Sequence, residues 1–151
     1  MHPAPTTSTD VMKMVKHLFM TYRNGIVADT LRKAGLPFGV IFGLQLPQLS
    51  GIARDIPHDI HTARMLWADQ NVRESRLLAC WIFPADELSE QEAYSMACGV
   101  LSREEADILA FRLLRHLSFA PVLASRLISH PDTLPRYAGQ ALLRNLNQGE
   151  N

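Results

Sequence analysis

Residues 72–83, VRESRLLACWIF, preceded by Ala63-Arg64-Met65-Leu66-Trp67, decide the fold class. Leu77, Leu78, Trp81 and Ile82 recur at helical spacing, Asp69-Gln70-Asn71 is a tight polar turn before them, and Pro84 stops the run. Segments 58–69 and 72–83 therefore read as a helix pair, the unit from which helical solenoids are stacked.

Working outward, the same punctuation recurs. Thr9 and Asp10 precede an apolar-periodic stretch, Val11, Val15, Leu18, Phe19 and Tyr22, that stops at Asn24-Gly25 like a helix C-terminus, predicting a helix over 10–24. A short helix is expected over 26–34, closed by Gly35-Leu36-Pro37. Another begins at Pro47, with Leu49, Ile52, Ala53 and Ile56 on one face. Only residues 38–46, FGVIFGLQL, have strand-like composition, and their two glycines favour a loop. Ser89 with Glu92 and Ser102 with Glu105 read as capping boxes that open helices near 90–100 and 103–117. Segments 121–129 and 134–147 complete about nine helices.

The expectation is an all-α chain of HEAT-like or armadillo-like stacked antiparallel helix pairs forming a curved α-solenoid, with an irregular bundle as the alternative. One helical-repeat domain over 10–147 is expected between flexible tails at 1–9 and 148–151.

Composition narrows the function classes. The 151 residues are 47% hydrophobic and 20% charged, ordinary for a globular chain. No apolar run reaches the roughly 20 residues of a membrane span, and MHPAPTTSTD does not resemble a secretory signal, so a cytoplasmic protein without a membrane partner is expected. Cys80 and Cys98 lie in apolar helical stretches without CxxC spacing and read as small core residues. No phosphate-binding loop, GxGxxG or supported Ser/His/Asp set is present, so nothing points to a nucleotidase, dehydrogenase or serine hydrolase, and no cofactor is expected.

Net charge is zero but unevenly distributed. Residues 61–102 carry three arginines against six carboxylates. Residues 108–149 carry Arg112, Arg115, Arg126, Arg136 and Arg144 against Asp132 alone, with His116 and His130 able to add charge below neutrality.

Three stretches resemble the HEAT-like repeat family of DNA alkylation repair glycosylases. Phe42-Gly43-Leu44-Gln45-Leu46-Pro47-Gln48-Leu49-Ser50-Gly51-Ile52-Ala53 is similar to that family's early G-x-x-x-P-x-L-x-x-I-A stretch. Leu66-Trp67 with Val72-Arg73-Glu74-Ser75-Arg76-Leu77-Leu78-Ala79 is the second match. The third is 99–107, GVLSREEAD, where active members carry a W-D-x-x-D-like stretch. The resemblance implies excision of cationic alkylated purines without base flipping, with Asp107 in the place of the catalytic aspartate. A carboxylate there would stabilise positive charge growing on the sugar. Arg103 stands where the family has a tryptophan, and the chain stops near where those enzymes continue, so glycosylase activity is expected to be lost. Thr133-Leu134-Pro135-Arg136-Tyr137-Ala138 is similar to the family's phosphate-touching helix start, which implies Arg136 as a phosphate contact.

Each candidate also has a plainer reading. Asp107 near a helix N-terminus is stabilised by the helix dipole whatever else it does. Arg112 and Arg115 should project away from the core side of their helix as a solvated face. Successive repeats would instead align Arg112, Arg126, Arg136 and Arg144 as a strip, and with Arg103 and Arg115 these are the DNA-binding candidates. His58-Asp59-Ile60-His61 has metal-like spacing without a third ligand motif, so capping is expected there and no metal. Trp67 and Trp81 read as packing residues, and for Arg73, Glu74 and Arg76 the family resemblance implies a structural role, with Glu74 paired to an arginine. The functional expectation is recognition of double-stranded DNA or a damaged-DNA structure through a basic concave face. The alternative is a non-enzymatic scaffold meeting an acidic protein partner, and a homodimer would complete the missing wall.

Overall fold

The computed structural model describes residues 7–148. These residues are all-α: nine α-helices and two single 3-10 turns, with 72% helix and no strand among them. The chain forms two compact units, residues 1–83 and 84–151, within the span expected as one domain.

The first unit holds α1 (Ser8–Tyr22), α2 (Gly25–Lys33), α3 (Leu46–Arg54), α4 (Ile60–Ala68) and α5 (Arg73–Ile82). Helix α1 starts two residues earlier than the sequence suggested, because the Thr7 hydroxyl accepts the Asp10 N–H at 3.1 Å and caps it. Ser8 and Thr9, expected in a tail over 1–9, thus belong to α1, and Gln148, expected in a tail over 148–151, belongs to the last helix; residues 1–6 and 149–151 lie outside the described residues. Asn24 starts a helix rather than ending one. Its carboxamide oxygen accepts the N–H groups of Ile26 and Val27 at 3.1 and 3.2 Å, which suits an asparagine in extended backbone and makes it the N-cap of α2.

Helix α5 is buried almost all round: Arg73 to Cys80 are inaccessible, including three charged side chains. An arrangement of that kind persists only if each charge is matched. Glu74, with no exposed surface, accepts the Phe42 N–H at 2.9 Å, the Gly43 N–H at 3.0 Å and an Arg73 guanidinium N–H at 2.7 Å. Arg73 also donates to the Leu44 carbonyl at 3.0 Å. The loop between α2 and α3 is thus tied to the first turn of α5, and a lone parallel bridge between Val40 and Val72 extends the attachment. Gly43 in that loop has φ +87°, and a Cβ there would lie 2.2 Å from the Asn24 carbonyl oxygen, so no larger residue fits. Arg76 stacks on Trp67 with its guanidinium carbon 3.5 Å from the ring centre and donates to the Trp67 carbonyl at 3.0 Å. Trp67, Arg73, Glu74 and Arg76 are thus engaged in stacking, ion pairing and hydrogen bonds within the first unit.

Asp59 caps α4, accepting the Thr62 N–H and hydroxyl, both at 3.1 Å, and the Ser8 hydroxyl at 3.3 Å. The Thr62 backbone bond above all holds its carboxyl below the usual range.

The second unit holds α6 (Glu90–Cys98), α7 (Arg103–Arg112), α8 (Ala120–Ile128) and α9 (Thr133–Gln148), with 3-10 turns at Ala85–Glu87 and Leu114–His116. The helix expected over 103–117 tightens to 3-10 geometry after Arg112, burying Leu113, Leu114 and Leu117 together. Ser89 and Ser102 cap α6 and α7 as expected, each accepting an N–H three residues on at 3.1 Å. Glu105 reaches further back than a standard capping box: its carboxylate, fully buried, accepts the Leu101 N–H at 3.1 Å. Helix α9 packs on both α7 and α8. The α8–α9 approach is so close that a Cβ on Gly139 would fall 2.7 Å from the Leu127 Cβ.

Three outcomes follow from this packing. Glu74→Ala strands Arg73 and two loop amides, and should lower stability of the first unit by about 3–5 kcal/mol. Tryptophan fluorescence during urea unfolding reads this directly, since Trp67 and Trp81 both lie in that unit; an unshifted midpoint would show the loop to be held by something else. Gly139→Ala should cost about 1–3 kcal/mol by overpacking the α8–α9 crossing, measured by far-UV circular dichroism. Asp59→Ala should cost about 1 kcal/mol at neutral pH. Because its folded-state pKa is lowered, the Asp59 contribution is present above the usual carboxylate range and is lost as pH falls through it, so variant and parent should converge in acid.

Candidate functional site

Helix α7 begins at the Ser102 cap, which places Asp107 one turn inside, and two turns of α9 place Tyr137 and Arg144 against it. The Tyr137 hydroxyl lies 2.9 and 3.1 Å from the two Asp107 carboxylate oxygens and donates to that carboxylate. An Arg144 nitrogen stands 3.7 Å from the same group, and both side chains of that ion pair are about half exposed, 56% and 48%. At that exposure the pair contributes at most about 1 kcal/mol, so it orients the groups more than it stabilises the unit. The guanidinium carbons of Arg103 and Arg144 lie 5.0 and 5.7 Å from the Tyr137 ring centre. Asp107, Arg103 and Arg144, separate in sequence, are thereby brought to one tyrosine.

The other candidates divide among different contacts. Arg112 and Arg115 stack on Phe111, with guanidinium carbons 5.2 and 4.1 Å from the ring centre. Arg126 lies 4.0 Å from the Tyr94 ring centre and pairs with Glu90 at 3.2 Å. Hydrogen bonding to the Cys98 thiol, then burial, pushes the Tyr94 phenol above its usual value. Arg136 donates to the His130 and Pro131 carbonyls at 3.4 and 3.2 Å, tying down the connection before α9. That bonding pattern explains an arginine at this position without any phosphate.

The charge balance of this unit also matters. Its six arginines face nine Asp and Glu side chains, a net of minus three, because the basic stretch 108–149 shares the unit with the carboxylates of 86–107. Any attraction for a polyanion is therefore a property of the local patch and not of the unit.

Two sites are accounted for structurally. At 58–61, Asp59 is engaged as a cap and His58 Nε2 lies 2.9 Å from the Ala53 carbonyl oxygen. Among the described residues no three His, Cys, Asp or Glu side chains converge in a group able to hold a metal. A cavity of about 440 Å³ in the first unit is lined by Met20, Ala28, Phe42, Arg23 and Arg32. Its two guanidiniums already donate to carbonyls: Arg23 to Met20 at 2.7 Å, and Arg32 to Phe38 and Gly39 at 3.2 and 3.1 Å.

Phe111 was not legible as a site residue in the sequence. The available signal was its position outside the apolar stripe of Ala106, Leu109 and Leu113, which leaves it 40% exposed. No protein-family model, curated protein or solved structure matches the chain.

Proposed function

We propose that this chain is a DNA-binding protein of the alkylation-repair glycosylase type, contacting DNA through the α7–α9 face without excising bases. In this reading the helices of each unit are HEAT-like pairs, α4 with α5 and α8 with α9. The observation that supports it is the gathering of Asp107, Arg103 and Arg144 around one partly exposed tyrosine. Arginine forks suit phosphate oxygens, and Tyr137 offers a flat face beside them. The Asp107 carboxylate already accepts the Tyr137 hydroxyl and faces Arg144, so its oxygens are engaged within the unit. With its oxygens engaged in this way, Asp107 faces a deoxyribose only if Tyr137 and Arg144 move aside. With Arg103 in place of an aromatic neighbour, binding without chemistry is the coherent reading.

A second reading, a scaffold for a protein partner, is favoured by the net negative charge of the second unit and by the internal engagement of Arg126 and Arg136. Duplex binding would then be weak at any salt concentration.

The test is titration with duplex DNA containing 7-methylguanine, and with undamaged duplex, over a range of salt. Binding should weaken as salt rises, with no free base released in single-turnover incubation. Arg103→Ala and Arg144→Ala should each reduce the slope of log affinity against log salt by about 1. Base release abolished by Asp107→Asn would replace the non-catalytic reading with a catalytic one. Absence of salt-sensitive binding would leave the scaffold.

A further inference from the structure

Arg103, Asp107 and Phe111 stand at i, i+4 and i+8 on α7 and so share one stripe of that helix. Tyr137 and Arg144 of α9 meet the stripe at Asp107. At the far end of the helix Arg112 and Arg115 stand over Phe111, which remains 40% exposed. Tyr137 at the Asp107 carboxylate and Phe111 one turn further along α7 are thus set among four guanidiniums. Phe111 and Asp107 are one turn apart, about 6 Å along the axis. Of the other carboxylates on α7, Glu105 is buried against the Leu101 N–H, and Glu104 stands next to Arg103 at the opposite end of the helix from Phe111.

The chemistry distinguishes among anionic partners. Acidic peptides would pair with the arginines but leave both rings in water. Duplex DNA offers phosphates, yet its bases are stacked on one another and present no free face. An unpaired strand supplies both, and every base has a π-face, so stacking on exposed aromatics beside cations is the usual mode of single-strand binding. We infer that the α7–α9 surface binds unpaired DNA, with bases stacking on Phe111 and Tyr137 and the backbone held by Arg103, Arg112, Arg115 and Arg144. This rests on the DNA-binding reading above and names the form of DNA that it takes.

The experiment is fluorescence anisotropy with a labelled oligothymidylate of about 20 nucleotides and a mixed-sequence duplex of about 20 base pairs, for the full chain and its variants. Oligothymidylate should bind more tightly than duplex. Phe111→Leu and Tyr137→Leu should each weaken oligothymidylate binding about fivefold or more, and change duplex binding less than about twofold. Tyr137→Phe, which keeps the ring, should retain single-strand binding. Circular dichroism of each variant establishes that the helices are intact. If Arg103→Ala and Arg144→Ala weaken both forms while the aromatic variants change neither, DNA binding stands and the stacking inference is overturned. If neither DNA form binds, both readings fall together. Competition by polyglutamate as effective as that by oligothymidylate would also overturn the inference, in favour of an acidic protein partner.

Discussion

The Glu74 carboxylate organises the first unit. Buried charge is tolerated only where hydrogen bonds replace lost water, and here two backbone amides of the α2–α3 loop and one guanidinium do so. That requirement propagates outward. The loop must bring Phe42 and Gly43 to α5, which fixes Gly43 in a left-handed conformation against the Asn24 carbonyl. Asn24 donates its N–H to the Phe42 carbonyl at 2.7 Å while its side chain starts α2. One ionised side chain therefore couples α2, the loop and α5, elements that hydrophobic burial alone would leave free to slide.

The second unit uses a different logic. Its core is aliphatic, with Leu109, Leu113, Leu114, Leu123 and Leu127 fully enclosed, and its glycine acts by absence of a side chain where α8 and α9 cross. Its aromatic rings, displaced from that core, become landing places for arginine: Tyr94 for Arg126, Phe111 for Arg112 and Arg115, Tyr137 for Arg103 and Arg144. Guanidiniums on π-faces lose less hydration than ammonium groups would. The cations of this unit are all arginine for a reason that packing makes plain.

Much of the local structure was legible in the residues. Serine caps at Ser89 and Ser102, the turn at 69–71 and the prolines that stop helices mark boundaries through short-range hydrogen bonding, which sequence order alone determines. Asn24 was misread because an asparagine before glycine suits either a helix end or a helix start. Only the path of the following loop, drawn back by Glu74, selects the start. Glu105 read as a capping-box residue reaching back to Ser102, yet its buried carboxylate accepts the Leu101 amide instead.

By itself the sequence determined the helical class and the approximate helix ends, since these depend on periodicity and caps. Tertiary structure alone decided which of six arginines share a surface. Asp107, Tyr137 and Arg144 span two helices, and their meeting depends on the α7–α9 packing, which no local pattern encodes. It also turned Arg136 inward to loop carbonyls and left Phe111 outward, because side-chain direction follows from where each helix is seated and not from the residue's type.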